Sequence, residues 1–170
     1  MTWLLDANLL IRAEDAGRLQ DLLATTARVP CAVAREVHDE LCGRGGRKRD
    51  ARHAHIEGML AISKLEVIEV ELGSPTAVIY EAVRSGRTTA GDAGECQSIA
   101  IAHGREDVWF VTGEPRAGWL ALLELGGRVR ALPSFLRHAL EADVLARDVA
   151  EEILAAAESR SGLRRPTWWR

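Results

Sequence analysis

Short apolar runs alternate along this chain with longer segments in which apolar residues recur at helical spacing. Such alternation is typical of βαβ units, which build a mostly parallel sheet. The pattern predicts strands at residues 3–5, 28–31, 65–70, 108–112 and 128–132. It predicts helices at residues 8–15, 18–26, 32–42, 47–62, 75–85, 92–103, 116–125, 133–141 and 143–159. We therefore predict an α/β fold.

Helix boundaries are marked by proline and glycine. Pro75 and Pro133 stand at predicted helix starts, where the missing N–H costs little, and Gly104 follows a predicted helix. No stretch rich in Pro, Gly or Ser divides the chain. We predict one domain over residues 1–142, with a C-terminal helix and tail over residues 143–170 that belong to the same structural unit.

The charge of the chain is uneven. The net charge is −3, which by itself does not indicate a nucleic-acid partner, but residues 44–55 form a basic zone. Its candidate contacts to a nucleic-acid backbone are Arg44, Arg47, Lys48 and Arg52. The competing interpretation is a solvated helix face, because runs of charge are commonly no more than that.

The three cysteines, Cys31, Cys42 and Cys96, form no CxxC pair and have no histidines at zinc-ligand spacing. The N-terminal residues run directly into a strand-like segment without a cationic flank or a long apolar run. We therefore expect a cytoplasmic protein with mostly buried thiols and no membrane span.

Carboxylates stand where predicted strands end or the following helices begin: Asp6, Glu36, Asp92, Glu95 and Glu114. In an open α/β sheet, ligands collect outside the carboxyl ends of the strands, so these acids are expected to converge. Converging carboxylates repel one another unless a cation lies between them. The pattern therefore favours a metal site.

Each acid also has a simpler explanation as a helix cap, and Asp92 with Glu95 has the spacing of a capping box. Two details weaken that explanation. Glu114 precedes Pro115, where glutamate is a poor cap, and Gly94 is unusual in a first helical turn unless another group approaches the backbone.

Four segments in order resemble the motifs of PIN-domain nucleases: residues 4–11 (LLDANLLI), 29–37 (VPCAVAREV), 92–102 (DAGECQSIAIA, in the GE-containing variant) and 109–114 (WFVTGE). The resemblance covers about residues 1–140. It implies a three-layer α/β/α PIN-like fold with a central, mostly parallel sheet, here carrying an added C-terminal helix.

The resemblance also implies hydrolysis of RNA that depends on Mg²⁺ or Mn²⁺, metals that suit oxygen ligands. The expected catalytic and metal-binding residues are Asp6, Glu36, Asp92, Glu95 and Glu114, with Asn8 and Thr112 orienting the carboxylates. By family analogy, we expect an endoribonuclease that acts as the toxin of a toxin-antitoxin pair. Its partners would be RNA, an antitoxin protein and a second copy of the chain.

Two other functions remain open. Glu95 and Glu114 stand where most of the family has aspartate, which favours a PIN-like module that binds RNA or protein without cutting. A phosphatase that attacks through Asp6 would need a second aspartate at the position of Asn8. The tail residues Trp168 and Trp169 have three open roles: folding back, docking on a second subunit or stacking on bases.

Overall fold

A computed structural model describes residues 1–44, 49–85 and 93–169. Its centre is a sheet of five parallel strands in the order β3-β2-β1-β4-β5. The strands are β1 (Thr2–Leu5), β2 (Cys31–Ala34), β3 (Glu66–Ile68), β4 (Val108–Thr112) and β5 (Val129–Ala131). The sheet is entirely parallel, and the prediction of an α/β fold is confirmed.

Nine α-helices flank the sheet within the described residues, giving a three-layer α/β/α architecture. They are α1 (Ala7–Asp15), α2 (Leu19–Ala24), α3 (Arg35–Leu41), α4 (Ala51–Ile62), α5 (Pro75–Ser85), α6 (Ala93–Gly104), α7 (Pro115–Leu125), α8 (Leu132–Glu141) and α9 (Arg147–Ser161). None of these helices combines the length and apolar character needed to cross a membrane.

The core follows from strands that are covered on both faces. All four residues of β2 are buried, as are Trp3 to Leu5 of β1. Parallel sheets are covered by helices on both sides, so their central strands are continuously apolar. Ile153 and Leu154 of α9 belong to the same hydrophobic core as these strands.

The predicted position of the second strand was wrong. Residues 28–31 were expected as the strand and 32–42 as the helix, whereas β2 runs over Cys31–Ala34 and α3 starts at Arg35. The run from Cys31 to Ala34 does not alternate between apolar and polar residues because both of its faces are buried. Such a run cannot be distinguished from a buried helical turn by periodicity.

The strand order creates a reversal between β1 and β4. From β1 the chain moves outward on one side to β2 and β3, then returns to pair β4 with the other side of β1. Crevices at such a reversal, outside the carboxyl ends of the strands, are the usual ligand sites of open α/β sheets. Asp6 follows the last residue of β1, and Thr112 ends β4 at this position.

Candidate functional site

Asp6 lies at the reversal point and is only 6% exposed. Its backbone is extended, and its N–H donates to the carbonyl oxygen of Val111 at 3.0 Å, continuing the pairing of β1 with β4. Its side chain makes no capping hydrogen bond to α1. The capping explanation therefore does not account for Asp6, whose buried carboxylate has another partner.

That partner is Thr112, which is 4% exposed. Its hydroxyl donates to Oδ2 of Asp6 at 2.9 Å. The hydroxyl oxygen of Thr112 in turn accepts the backbone N–H of Glu114 at 3.1 Å. Since the threonine oxygen already accepts the N–H of Glu114, its own proton is directed toward Asp6. Thr112 thus orients the Asp6 carboxylate and links it to the start of α7.

The electrostatics of Asp6 are unusual. Burial raises the pKa of Asp6 to about 7. The hydrogen bond from Thr112 opposes this rise, and the negative charges of Glu95 and Glu114 add to it. Burial penalises a charged carboxylate, and nearby like charges add to that penalty. The structure therefore brings the negative charges of two predicted site residues, Glu95 and Glu114, close to the buried carboxylate of a third, Asp6.

Glu36 lies in the first turn of α3, directly after β2, and its side chain is exposed. Its backbone N–H donates to Oε1 of Gln97 at 2.8 Å, and Gln97 is itself buried in α6. Gln97 was not predicted as a functional residue, because a glutamine inside a helical segment carries no local signal of such a contact. Gln97 fixes the start of α3 against the helix that carries Glu95.

The close approach of α3 and α6 explains Gly94. A Cβ atom at Gly94 would lie 2.9 Å from Cγ2 of Val37 and 3.3 Å from its backbone nitrogen. A real side chain cannot be placed there without moving one helix. Gly94 therefore sets the spacing between the helices that carry Glu36 and Glu95.

We predict that Gly94→Ala destabilises the protein by about 1–3 kcal/mol, because overpacking forces the two helices apart. The matched control is Gly58→Ala in α4, where no atom lies within 4 Å of the added Cβ. This control should gain roughly 0.5–1 kcal/mol from helix propensity. Urea unfolding measures both changes. A stability gain in Gly94→Ala would contradict the packing argument.

The remaining predicted site residues have different surroundings. Asp92 lies outside the described residues. Asn8 is half-buried in α1 and has no side-chain hydrogen bond within the described part of the chain. Glu114 is exposed beside the end of β4. Over residues 1–44, 49–85 and 93–169, no group of three or more His, Cys, Asp or Glu side chains is placed to hold a metal ion.

The described part of the basic zone is engaged in ion pairs. Arg44 binds Glu57 at 2.6 Å, and Arg49 binds the other oxygen of that carboxylate. Arg52 binds Asp15 at 2.8 Å. These contacts agree with the interpretation of a solvated, charge-compensated surface. Arg47 and Lys48 lie outside the described residues.

The position of Arg52 also separates it from the candidate site. Asp6 precedes the first residue of α1, whereas Arg52 contacts Asp15, the last residue of this nine-residue helix. At the rise of an α-helix, these points are about 13 Å apart along the helix axis. The structure does not bring Arg52 to Asp6.

Two other arginines have specific contacts that were not predicted from the sequence, and one of them, Arg84, lies near the acidic edge. Nη1 of Arg84 is 3.4 Å from the phenol oxygen of the buried Tyr80. The pKa of Tyr80 is raised by burial and, next, by the negative charge of Glu36, which places this pair near Glu36. Arg130 in β5 lies over the ring of Trp109, with Cζ 4.0 Å from the ring centroid. Arg84 approaches Glu36 only through tertiary structure, whereas the guanidinium of Arg130 bonds to the carbonyl oxygens of Gly127 and Val129, which precede it in the chain.

Comparison of the chain with protein-family models, with curated proteins and with solved structures found no match. A functional conclusion therefore depends on the residues and their geometry. The most informative feature is the buried pair of Asp6 and Thr112 at the point where the strand order reverses.

Proposed function

We propose that this protein is a divalent-metal-dependent endoribonuclease. The observation that carries the proposal is Asp6, a buried carboxylate oriented by Thr112 and surrounded by negative charge at the sheet reversal. A cation is the natural means of stabilising the ionised form of such a group. The resemblance of four sequence segments to PIN-domain nucleases supports RNA as the substrate.

The chemistry of the donors fits Mg²⁺ or Mn²⁺, since the acids offer oxygen and, among the described residues, no cluster of histidines or cysteines accompanies them. Asp6, Glu95 and Glu114 would hold the ion, with Glu36 or Asp92 contributing through water. The glutamate side chains would have to turn toward Asp6, because the described residues contain no ready group of three ligands. When bound, the metal would activate water and offset charge on the leaving oxygen.

The residues of the chain have separate roles in this proposal. Thr112 keeps Oδ2 of Asp6 in a fixed position, and burial excludes bulk water from that carboxylate. Arg84, whose partner Tyr80 lies near Glu36, supplies positive charge that an RNA backbone would require near an acidic site. The paired arginines of the predicted basic zone are not needed.

The cellular role is also a proposal. All three cysteines are buried thiols, which suits a reducing compartment, and we propose a cytoplasmic location. A role as the toxin of a toxin-antitoxin pair, with an antitoxin partner and a homodimeric state, follows from family analogy alone.

Cleavage of single-stranded RNA tests the proposed function. Native protein with Mg²⁺ or Mn²⁺ should cleave, and Asp6→Asn should reduce the rate by about 100-fold or more, because neutralising a ligand removes several kcal/mol of transition-state stabilisation. The control is Asp148→Asn, an exposed aspartate of α9, which should cleave normally. Equal cleavage by Asp6→Asn and this control would refute the assignment.

A PIN-like module that binds RNA or protein without cutting is the second candidate. It is favoured by one observation, the lack of a three-ligand group among the described residues. This candidate predicts RNA or protein binding without cleavage at any Mn²⁺ concentration, and identical binding by Asp6→Asn.

A further inference from the structure

Helix α5 packs along α6 in the antiparallel direction. A Cβ atom on Gly104, the last residue of α6, would lie 2.8 Å from Oγ1 of Thr76, the second residue of α5. About one turn further along α5, Tyr80 packs against Ala100 and Cys96, which lie progressively nearer to the start of α6. The C-terminal end of α5 therefore lies beside the N-terminal end of α6.

Arg84 belongs to that C-terminal end of α5. It follows Tyr80 by one helical turn, which corresponds to about 6 Å along the helix axis. On α6, the residue that precedes Cys96 is Glu95, in the first turn of the helix. The antiparallel packing thus carries Arg84 to the level of the turn that bears Glu95.

The first turn of α3 packs against the same end of α6. The backbone N–H of Glu36 donates to Oε1 of Gln97 at 2.8 Å, and Gln97 follows Cys96 directly. The negative charge of Glu36 is also, after burial, the largest cause that raises the pKa of Tyr80. The start of α6 therefore brings Glu36 and the Tyr80–Arg84 pair together.

The guanidinium of Arg84 is exposed and has a fixed neighbour. Its Nη1 donates to the phenol oxygen of Tyr80 at 3.4 Å, and its Cζ lies 5.8 Å from the centroid of the same ring. Tyr80 is only 9% exposed, so its packing against α6 holds that oxygen in place. Over residues 1–44, 49–85 and 93–169, no carboxylate forms an ion pair with Arg84, whereas Arg44 and Arg52 are each paired with an acid.

We propose that Arg84 binds a phosphate of the RNA backbone beside the acidic site and that Tyr80 positions its guanidinium. The inference rests on the proposed function, since RNA is the ligand that it assumes. A strand that reaches Asp6 must enter a region of negative charge, and a cation at its margin offsets the repulsion between acids and phosphates. The RNA therefore approaches over the C-terminal end of α5, not over the paired arginines beside α4.

Binding of a fluorescein-labelled oligouridylate, measured by fluorescence anisotropy in EDTA, tests the proposal. EDTA removes divalent metal, so the affinity does not depend on cleavage. Arg84→Gln should weaken binding about fivefold at about 50 mM KCl. It should also make the slope of log affinity against log salt concentration less steep by about 0.7, the value for one phosphate contact of a single strand.

The matched control is Arg105→Gln. Arg105 is also exposed, but it follows Gly104 at the opposite end of α6. Its replacement removes the same charge from the chain, so Arg105→Gln should bind the oligouridylate with the native affinity and the native salt slope.

Two further variants test the positioning role of Tyr80. Arg84→Lys keeps the charge and should keep the native salt slope, with a smaller loss of affinity than Arg84→Gln. Tyr80→Phe keeps the buried ring and removes the hydroxyl group. It should also keep the slope but weaken binding about twofold or more, because the binding of RNA must then restrain a freer Arg84 side chain.

A different role for Arg84 would be to offset the charge of Glu36 without touching RNA. The double variant Glu36→Gln/Arg84→Gln has the native net charge at this end of α6. If Arg84 only offsets Glu36, this variant should bind RNA as the native chain does. The proposed contact predicts instead that it binds more weakly than Glu36→Gln and keeps the shallower salt slope of Arg84→Gln.

Equal affinity and slope for folded Arg84→Gln and Arg105→Gln would overturn the proposal, as would native binding by the double variant. If Arg84→Gln does not fold, NMR titration of the native chain with the oligouridylate decides the question. Shifts of the amide resonances of residues 80–85 would support the contact, and their absence would overturn it.

The outcomes for the nuclease are distinguishable from these. RNA cleavage that Asp6→Asn abolishes, together with unchanged binding by Arg84→Gln, would retain the nuclease and reject the phosphate contact. Weaker binding by Arg84→Gln in a protein that never cleaves would support the contact and remove only the nuclease.

Discussion

Without divalent metal at pH 8, Asp6→Asn should be more stable than the native chain by up to about 4 kcal/mol. The reason is that folding raises the pKa of Asp6 from 3.8 to about 7. At pH 8 the native protein must bury an ionised carboxylate, whereas the amide carries no charge. The amide oxygen still accepts the hydrogen bond from Thr112, so the local geometry is kept.

The direction of the pH dependence follows from the order of the two pKa values. Below about pH 3.8, Asp6 is protonated in both folded and unfolded chains and costs nothing. Between that pH and about 7, the folded chain binds more protons, so stability falls as the pH rises. The advantage of Asp6→Asn should therefore be small at pH 4, grow through pH 5 and 6, and level off above pH 7.

Chemical unfolding in EDTA at pH 4, 6 and 8 measures this difference, with Asp148→Asn as the matched control for removing one exposed aspartate. Adding Mn²⁺ at 100 times its dissociation constant should then reduce the advantage of Asp6→Asn at pH 8 by about 2.7 kcal/mol, because a bound ligand at that concentration stabilises the folded native chain by this amount. Only the native chain should gain. Equal stability of the native chain and Asp6→Asn at pH 8 in EDTA would show that Asp6 is an ordinary structural carboxylate.

The position of Asp6 at the carboxyl end of the sheet could be predicted from the sequence because its signal is local. An apolar strand followed by an acid places that acid at the carboxyl end of the sheet in any parallel α/β fold. Amphipathic helices carry an equally local signal, and α5 has the predicted bounds of residues 75–85. The sequence therefore indicated the position of the site without any knowledge of its details.

The basic zone shows where local reasoning is insufficient. Residues 44–55 are rich in arginine, but the carboxylates of Glu57 and Asp15 that compensate them arrive through tertiary packing. Arg84, by contrast, is isolated in sequence and approaches the acidic edge only because its partner Tyr80 lies near Glu36 in the folded chain. Charge density along a chain does not indicate which charges remain available in the folded molecule.

The position of β2 has a similar cause. Its apolar run is short and buried on both faces, so neither alternation nor helical spacing distinguishes it. The error of three residues at the start of α3 still leaves Glu36 in a first helical turn. A helix boundary can therefore be misplaced without moving a predicted site residue to the wrong edge of the sheet.

The second large effect concerns the segment after α9. Trp169 is 7% exposed and belongs to the main hydrophobic core, and its Nε1 donates to Glu151 at 2.8 Å. Arg165 fixes the same segment to α9 through Glu151 at 2.6 Å and Glu158 at 3.0 Å. Of the three open roles for the tail, folding back onto the domain is the one that these contacts describe.

Trp169→Ala should therefore destabilise the protein by about 3–5 kcal/mol, the usual cost of truncating a buried aromatic side chain. Trp168→Ala is the matched control, because its ring is 44% exposed and its main contact is Arg137, with Cζ 5.3 Å from the ring centroid. An exposed cation–π contact contributes only about 0.5–1 kcal/mol. Urea midpoints of the two variants give the comparison directly.

RNA affinity separates this structural role from base stacking. Well below its melting temperature, Trp169→Ala should bind single-stranded RNA as the native chain does, since the indole is covered in the folded protein. A stacking role would instead lower affinity by about 1–3 kcal/mol for each base lost. Similar stability losses in both variants, or weaker RNA binding by Trp169→Ala alone, would contradict the role of this residue as an anchor of the tail.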